Sequence, residues 1–504
     1  MPSDLAGPAD GAGALTDTGA DGRRWLILGV ISMAQLMVVL DATIVNIALP
    51  SAQRALGFST ADRQWVVTAY ALAFGGLLLV GGRLSDLLGR KRAFIAGLAG
   101  FAVASAIGGA APDFAILVAA RAVQGAFGAL LAPSALALLT TTFADPRERG
   151  RALGIFTAIT GAGGAIGLLL GGVLTEYLSW RWCLYVNLFF AAVAMTGAIP
   201  LLARQQRSRG VAFDAPGSLL AVGGLTAIVY GFSEASTAGW GGGPTIGLIA
   251  GGVALLAAFV FVEHRAARPL LPLAVVTDRL RGAAYLGALI SGIGIIGMFL
   301  LLTYYFQGIL GFTPLRAGLA FLPFIAGVVI GSNIVSNVAL GRLGPKVVVP
   351  VGLLLAAAGV AWLTRIGPHG TYGYDVAPGL LLTGLGMSCA FVTAFSLGPV
   401  GTRPADTGVA ASMVNSSNQI GFSLGAALLN TIAADAATTY LATHHAAASL
   451  AAATVHGDVT AFAFLAALFS AGAIVTGLLH PRKAAISSRL TGAQAPAVQP
   501  APSA

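Results

Sequence analysis

Gly82-Arg83-Leu84-Ser85-Asp86-Leu87-Leu88-Gly89-Arg90-Lys91-Arg92 interrupts an otherwise apolar stretch of the chain. An apolar run over 64–82 precedes it and a second, over 93–111, follows it. Each is close to the length of about 20 residues that a helix needs to cross the hydrocarbon of a bilayer. The string therefore reads as a tight reversal between two membrane-spanning helices. Glycines permit such a reversal, and Arg90, Lys91 and Arg92 suit the anionic face of a membrane. Asp86 is placed to cap or face a helix N-terminus.

Outward from this string the same pattern recurs. Apolar runs fall near 25–49, 64–82, 93–111, 114–141, 152–174, 183–203, 216–234, 245–262, 282–303, 317–340, 347–366, 377–399, 408–432 and 459–479, which makes fourteen crossings. Composition requires the same solvent. Of 504 residues only 9% are charged and 57% are hydrophobic, whereas a soluble domain carries about 25% charged residues. Mean hydropathy is +0.85. The formal charge of +9 does not point to nucleic acid, because the basic residues sit in short loops and form no aromatic-studded basic surface.

The placement of lysine and arginine tests the count of crossings independently, since short cytoplasmic loops are enriched in both. With the N-terminus inside, 22 of the 28 basic residues fall on the cytoplasmic side, among them Arg23, Arg90, Lys91, Arg147, Arg209, Arg342 and Lys483. The other side holds five: Arg54, Arg63, Arg181, Arg316 and Arg365. Arg121 alone lies within a span. A miscounted helix would scramble this alternation, so both termini are expected in the cytoplasm. Residues 1–22 lack the basic start and cleavage site of a signal peptide. They are expected to be a disordered tail, as is the Ala-, Pro- and Ser-rich stretch 481–504.

The ordered G-x-L-S-D-x-x-G-R-K string resembles the signature loop of the major facilitator superfamily. A degenerate echo, Gly341-Arg342-Leu343-Gly344-Pro345-Lys346, follows the tenth span. The resemblance implies an all-α membrane protein with the major facilitator fold. Two six-helix halves would be related by a parallel repeat, with a substrate site between them near the midplane. Fourteen spans then divide 6+2+6: an N-terminal half over 23–203, a linker over 204–280 carrying two extra helices, and a C-terminal half over 281–480.

Further runs resemble particular motifs of that superfamily. In span four, Arg121, Gln124, Gly125 and Gly128 share one helix face, and the run resembles the motif linked to proton coupling. In span five the ladder Gly163, Gly167, Gly171, with Gly172 beside it, puts small residues on one face, where helices pack closely. It resembles the antiporter motif, with the departure that Leu168 stands where the family usually has proline. Span one contains Asp41-Ala42-Thr43-Ile44-Val45-Asn46. It resembles the first-helix motif of the fourteen-helix drug:proton antiporter branch, as do Ser179–Asn187 and the run from Tyr304 to Pro323. Gly82, Asp86, Gly89, Arg90 and Lys91, together with the glycine ladder, would be the conformational elements.

Asp41 reads as the only carboxylate well inside a span. A carboxyl group's hold on a proton rises when water leaves and falls when a cation faces it. A buried aspartate whose surroundings alternate between wet and dry can therefore exchange a proton. The resemblance implies that Asp41 and Arg121 carry the coupling. The remaining cavity is expected to be largely apolar with a few orienting polar groups. Its candidates are Asn46, Gln124, Tyr304, Tyr305, Gln307, Asn333, Asn337, Met387, Phe391, Phe395, Asn415, Asn418 and Gln419. With one membrane carboxylate, monovalent lipophilic cations or neutral amphipathic antibiotics suit the site better than divalent cations.

The expected activity is proton-coupled efflux of lipophilic antibiotics or other small toxic compounds across the cytoplasmic membrane, conferring resistance, by a chain acting as a monomer. The partners are a small-molecule substrate, protons and membrane lipid. The alternative is a proton-coupled importer of a nutrient or metabolite. A scaffold would need no buried Asp and Arg. An enzyme is not indicated, because there is no Walker loop, nucleophile elbow or metal-ligand cluster. Cys183 and Cys389 fall in apolar runs and form no redox or metal pair. His444, His445 and His456 lack ordered ligand spacing, so neither metal nor cofactor is expected.

Overall fold

A computed structural model describes residues 18–60, 62–143, 145–203, 214–266, 271, 273–402, 407–444 and 449–481. The expected tails (apart from 18–22), much of the linker start at 204–213, Arg268, Arg403, His445 and the basic residues beyond 481 lie outside the described residues, as does the side chain of Asn337. Among the described residues fourteen helices are long and apolar enough to cross a membrane. They are α1 (Gly22–Leu56), α2 (Trp65–Leu88), α3 (Arg90–Ala110), α4 (Phe114–Thr142), α5 (Arg147–Tyr177), α6 (Trp182–Leu201) and α7 (Pro216–Ala235). There follow α8 (Gly243–Arg265), α9 (Arg279–Ile309), α10 (Pro314–Ile334), α11 (Pro345–Leu363), α12 (Tyr372–Leu397), α13 (Val409–His444) and α14 (Leu450–Leu479). The end of the bundle carrying the α2–α3 turn is called the basic end below, and that carrying the α1–α2 loop the far end.

Most helices coincide with the apolar runs, and the exceptions have local causes. The helix α14 begins nine residues before the apolar run expected at 459. Ser449 caps it by accepting from the Ala452 amide at 3.1 Å, and the alanine-rich start propagates helix well. In consequence Asp458, read from sequence as lying outside the span, is inside α14 and only 2% exposed. Asp41 is therefore not the only carboxylate within a membrane helix. Of the two expectations for Asp86, to cap a helix N-terminus or to face one, the structure shows the second. The N-cap of α3 is Gly89, at φ 88°, a conformation glycine adopts without steric cost. Asp86 instead faces Arg90 one turn on, at 3.8 Å.

Packing explains how the helices hold the polar groups described below. Phe94, Phe101, Phe143, Ile31 and Met37 form the centre of one core, built by α1–α6 and their flanks. Phe299, Phe306, Phe321, Phe462 and Phe469 form another, built mainly by α9–α14. The helix α7 bridges the two groups, with Val229 packed against Leu72 of α2 and Ala427 of α13. A crossing at Gly224 and Gly252 brings α8 onto α7. Val103, Phe189, Ile246, Phe261, Val351 and Leu478 point outward, as lipid-facing side chains do.

The two six-helix groups meet through hydrogen bonds at the far end. Gln307 Nε2 donates to Ile47 O at 3.0 Å, Leu315 N donates to Glu176 Oε2 at 2.9 Å, and Asn430 Nδ2 donates to Thr60 O at 3.3 Å. Backbones also come close there. A Cβ at Gly172 of α5 would lie 2.6 Å from Leu315 Cα, and one at Gly318 of α10 would lie 2.5 Å from Leu168 O. The far end is closed in this conformation.

Candidate functional site: a buried aspartate and its donors

Asp41 sits halfway along α1, fully buried. A carboxylate there has lost its water, so other groups must supply the missing hydrogen bonds. Arg121 Nη1 donates to Asp41 Oδ2 at 2.5 Å. Gln124 Nε2 and Asn187 Nδ2 both donate to Asp41 Oδ1, each at 2.7 Å. These donors come from α4, one turn apart, and from α6. Arg121 is itself only 1% exposed. Its Nε donates to Val66 O at 3.1 Å, its Nη1 to Gln124 Oε1 at 2.7 Å, and its guanidinium carbon lies 4.4 Å from the Tyr70 ring centroid. Ser105 of α3 closes the set. Its hydroxyl accepts from Gln124 and Asn187 at 3.1 and 3.0 Å and donates to Leu184 O at 2.8 Å.

Five helices, α1, α2, α3, α4 and α6, thus converge on one ion pair. Hydrogen bonds to a charged partner are the strong ones, and three of them here converge on one carboxyl group. An apolar crevice lined by Ala48, Leu117, Trp180, Cys183 and Leu184 reaches Arg121 from the far-end side. Sequence reading had named Asp41 and Arg121 for proton coupling and Gln124 for the cavity. Asn187 appeared only within a quoted run and Ser105 not at all. Both are neutral, and their convergence exists only in the packed bundle.

The conformational residues occupy definite contacts. Gly163, Gly167 and Gly171 face α1, where their nearest neighbours are Val39, Thr43 and Ile44. Gly172 faces a different way, onto Pro314 and Leu315. Lys91 Nζ donates to Ile199 O and Leu202 O, each at 2.6 Å, and so caps the end of α6. Arg90 Nη1 donates to Ala137 O at 3.3 Å. Gly82 lies against Pro133 at ordinary contact distance.

The cavity candidates do not gather on one surface in this conformation. Tyr305 is fully buried and donates to Gly367 O at 2.9 Å. Asn46, 1% exposed, bonds Ala42 O on its own helix, and Gln124 belongs to the Asp41 cluster. In this conformation all three occupy packed positions, each with a hydrogen-bond partner in the bundle. Met387 is likewise buried. Gln307 bridges to α1, and a π-helical turn over Tyr305–Ile309 widens α9 at that place. Asn333 is exposed and bonds Val329 O. Asn415 bonds Ala411 O, and Asn418 bonds Ala288 O across to α9. Gln419 is 9% exposed and packs on Gly75 of α2. The Phe391 and Phe395 rings lie 4.6 Å apart between centroids, tilted by 38°.

Tyr304 belongs to a second polar cluster, at the far end. Arg63, in the α1–α2 loop, is 5% exposed. Its Nε donates to Asn430 Oδ1 of α13 at 2.7 Å, and its guanidinium carbon lies 3.9 Å from the Tyr304 ring centroid. Burial lowers the Arg63 pKa from its ordinary value, against the opposing fields of Tyr304 and Asp458. Among the described residues no group of three or more His, Cys, Asp or Glu side chains is placed to hold a metal ion.

Residues 31–426 match the Major Facilitator Superfamily. A puromycin resistance protein of Streptomyces alboniger is 49% identical over 465 residues, covering 92% of each chain. A cephamycin export protein of Amycolatopsis lactamdurans is 39% identical, covering 79% of this chain and 83% of its own. Solved structures agree in fold alone. A bacterial homologue of the human lysosomal transporter Spinster, inward-facing, superposes with a TM-score of 0.64 at 14% identity, covering 93% of this chain and 98% of that one. An auto-inhibited POT family peptide transporter superposes with a TM-score of 0.65 at 16% identity, covering 91% and 96%.

Proposed function

This chain belongs to the Major Facilitator Superfamily, and on that footing we propose that it exports lipophilic antibiotics from the cytoplasm in exchange for protons. It is a multi-pass membrane transport protein and not an enzyme. The observation that carries the exchange reading is the Asp41 cluster. A carboxyl group lies in the middle of a membrane helix, held by a cation and two amides. Ionisable groups at such depth are costly and mark ion pathways. Protonating Asp41 would remove the charge that Arg121 answers and loosen the convergence of α1, α4 and α6. That is a direct route from proton binding to helix movement. The same proton leaving toward the basic end would restore the cluster.

The basic end then faces the cytoplasm, in keeping with its lysines and arginines. The proposed division is the one read from sequence: halves over 23–203 and 281–480, with α7 and α8 in the linker. One membrane ion pair and otherwise apolar walls suit amphipathic amines or neutral compounds. Puromycin is the natural first probe, given the relative that covers nearly the whole chain. In inside-out vesicles with an acidified lumen, adding puromycin should release protons from the lumen. Asp41→Asn should abolish the release while the protein remains folded. Full proton release from that variant would remove Asp41 from the mechanism. Silence of the folded wild type across puromycin and other lipophilic antibiotics would defeat the export reading.

A further inference from the structure

Asp458 differs from Asp41 in the respects that matter to a proton. Both are buried, at 2% and 0% exposure. Asp41 meets three donors, whereas Asp458 Oδ2 is enclosed with no hydrogen-bond partner. The cation whose field reaches Asp458 is Arg63, and Arg63 is already committed to Asn430 and to the face of Tyr304. The other titratable group whose field links it to Asp458 is the Tyr305 phenol of α9, which donates to Gly367 O. His456, two residues earlier on α14, is exposed and lies against Tyr440. Burying a carboxylate without a close, well-bonded counter-charge costs several kcal/mol. Burying the neutral acid costs far less.

The polar cluster whose field reaches Asp458 draws on both halves, since Arg63 bonds across to Asn430 and lies over Tyr304. Arg63 and Thr60 belong to the α1–α2 segment, and Asn430, Tyr304 and Asp458 belong to α13, α9 and α14. Rocking the halves apart at the far end, as alternating access requires, would withdraw Arg63 and return Asp458 to water. Closing the far end dehydrates it again. We propose that Asp458 is a second proton-binding group of the transport cycle, loaded from water on the far side and carrying that proton while the far end is closed. The step is a simple protonation: the carboxylate takes a proton from hydronium in the open far vestibule and becomes the neutral acid, with no other bond changed. Coupling between two equilibria is reciprocal. If closure favours the protonated acid, then acid favours closure. The inference rests on the transport reading above, but its test does not use a substrate.

The test measures the far end directly. The full chain, with Cys183 and Cys389 replaced by serine, carries spin labels at Ser59→Cys in the α1–α2 loop and Thr438→Cys on α13. It is reconstituted in liposomes without antibiotic. Electron–electron distances are recorded between about pH 8 and about pH 5, the range that brackets a perturbed carboxyl group. The short-distance, closed population of the wild-type background should grow as pH falls. The limit for one linked proton is about tenfold per pH unit in the closed-to-open ratio. Asp458→Asn, permanently neutral, should hold the closed population throughout with a flat response. Arg63→Gln removes the field that favours the carboxylate, so its midpoint should move upward by about one pH unit. A wild-type response in Asp458→Asn overturns the inference. So does an unmoved midpoint in Arg63→Gln, which decides the matter alone should the first variant not fold. An intact distance response in a protein that never releases protons to antibiotics would leave this inference standing and sink the export reading. Antibiotic-driven proton release with a flat distance response would do the reverse.

Discussion

Asp41 is accommodated in the middle of the bundle by the groups around it, and Asn187 is the most instructive of them. It brings α6 onto the same oxygen that Gln124 reaches from α4, so its amide fastens a third helix to the charge. A hydrogen bond to a charged group is worth about 1.5–3 kcal/mol. Asn187→Ala should therefore lower thermal stability in detergent by an amount in that range and slow antibiotic-driven proton release. Asn46→Ala is the comparison. Asn46 bonds only Ala42 O on its own helix, so its loss should be close to neutral by both measures. Equal behaviour of the two variants would mean that Asn187 does not support Asp41. Asp41 and Arg121 were legible in the sequence because a charge in an apolar run is an anomaly whatever surrounds it. Asn187 and Ser105 were not, because a lone neutral polar residue in a membrane helix usually satisfies itself on the preceding turn. Only the crossing of α3, α4 and α6 brings Asn187 onto Asp41 and Ser105 onto the two amides that hold it.

The helix α5 has two working faces, and its glycines divide between them. Gly163, Gly167 and Gly171 let α1 approach, while Gly172 admits the start of α10. On the opposing helix Gly318 takes the carbonyl of Leu168. A side chain at either of the last two positions would meet backbone, which cannot step aside as a flexible side chain does. Gly172→Val and Gly318→Val should therefore wedge the far end apart without unfolding either half. The expected result is a loss of the closed population in the spin-label distances and at least tenfold slower transport, the rate cost of about 1.4 kcal/mol on the barrier. Gly164→Ala, where a Cβ meets open space, should change neither. The ladder was readable from its four-residue spacing, since that spacing puts glycines on one face. The different aim of Gly172 follows from its place one residue off the ladder, about 100° round the helix, but its partner on another half was not readable. Asp458 was missed for an element-scale reason too. Hydropathy located where apolar residues begin, whereas the capped helix begins at Leu450, so a boundary error of nine residues moved a buried acid into a loop.

At the scale of the whole molecule the question is which way the machine points, because the direction of proton and drug flow follows from it. An even number of crossings, such as the fourteen candidate spans among the described residues would make, would return the chain to the side on which it started. Arg24 and Glu148, 3.0 Å apart, tie the start of α1 to the start of α5 at the basic end. Lys91 fastens α3 to the end of α6 at the same end. Each basic residue near an anionic leaflet contributes about 1 kcal/mol, and the sequence places 22 of its 28 on that side against five on the other. The difference is too large for a few loop substitutions to invert. In a background without Cys183 and Cys389, a membrane-impermeant maleimide applied to intact cells should label Ser59→Cys in the α1–α2 loop and spare Arg147→Cys at the start of α5. Inside-out vesicles should show the reverse pattern. If Arg147→Cys were the site labelled in intact cells, Asp458 would face the cytoplasm, and a proton loaded there would run against the gradient that export needs. The orientation thus constrains the chemistry. Only with the basic end inside do the crevice that reaches Arg121 and the buried Asp458 both lie toward the side from which the membrane potential drives protons.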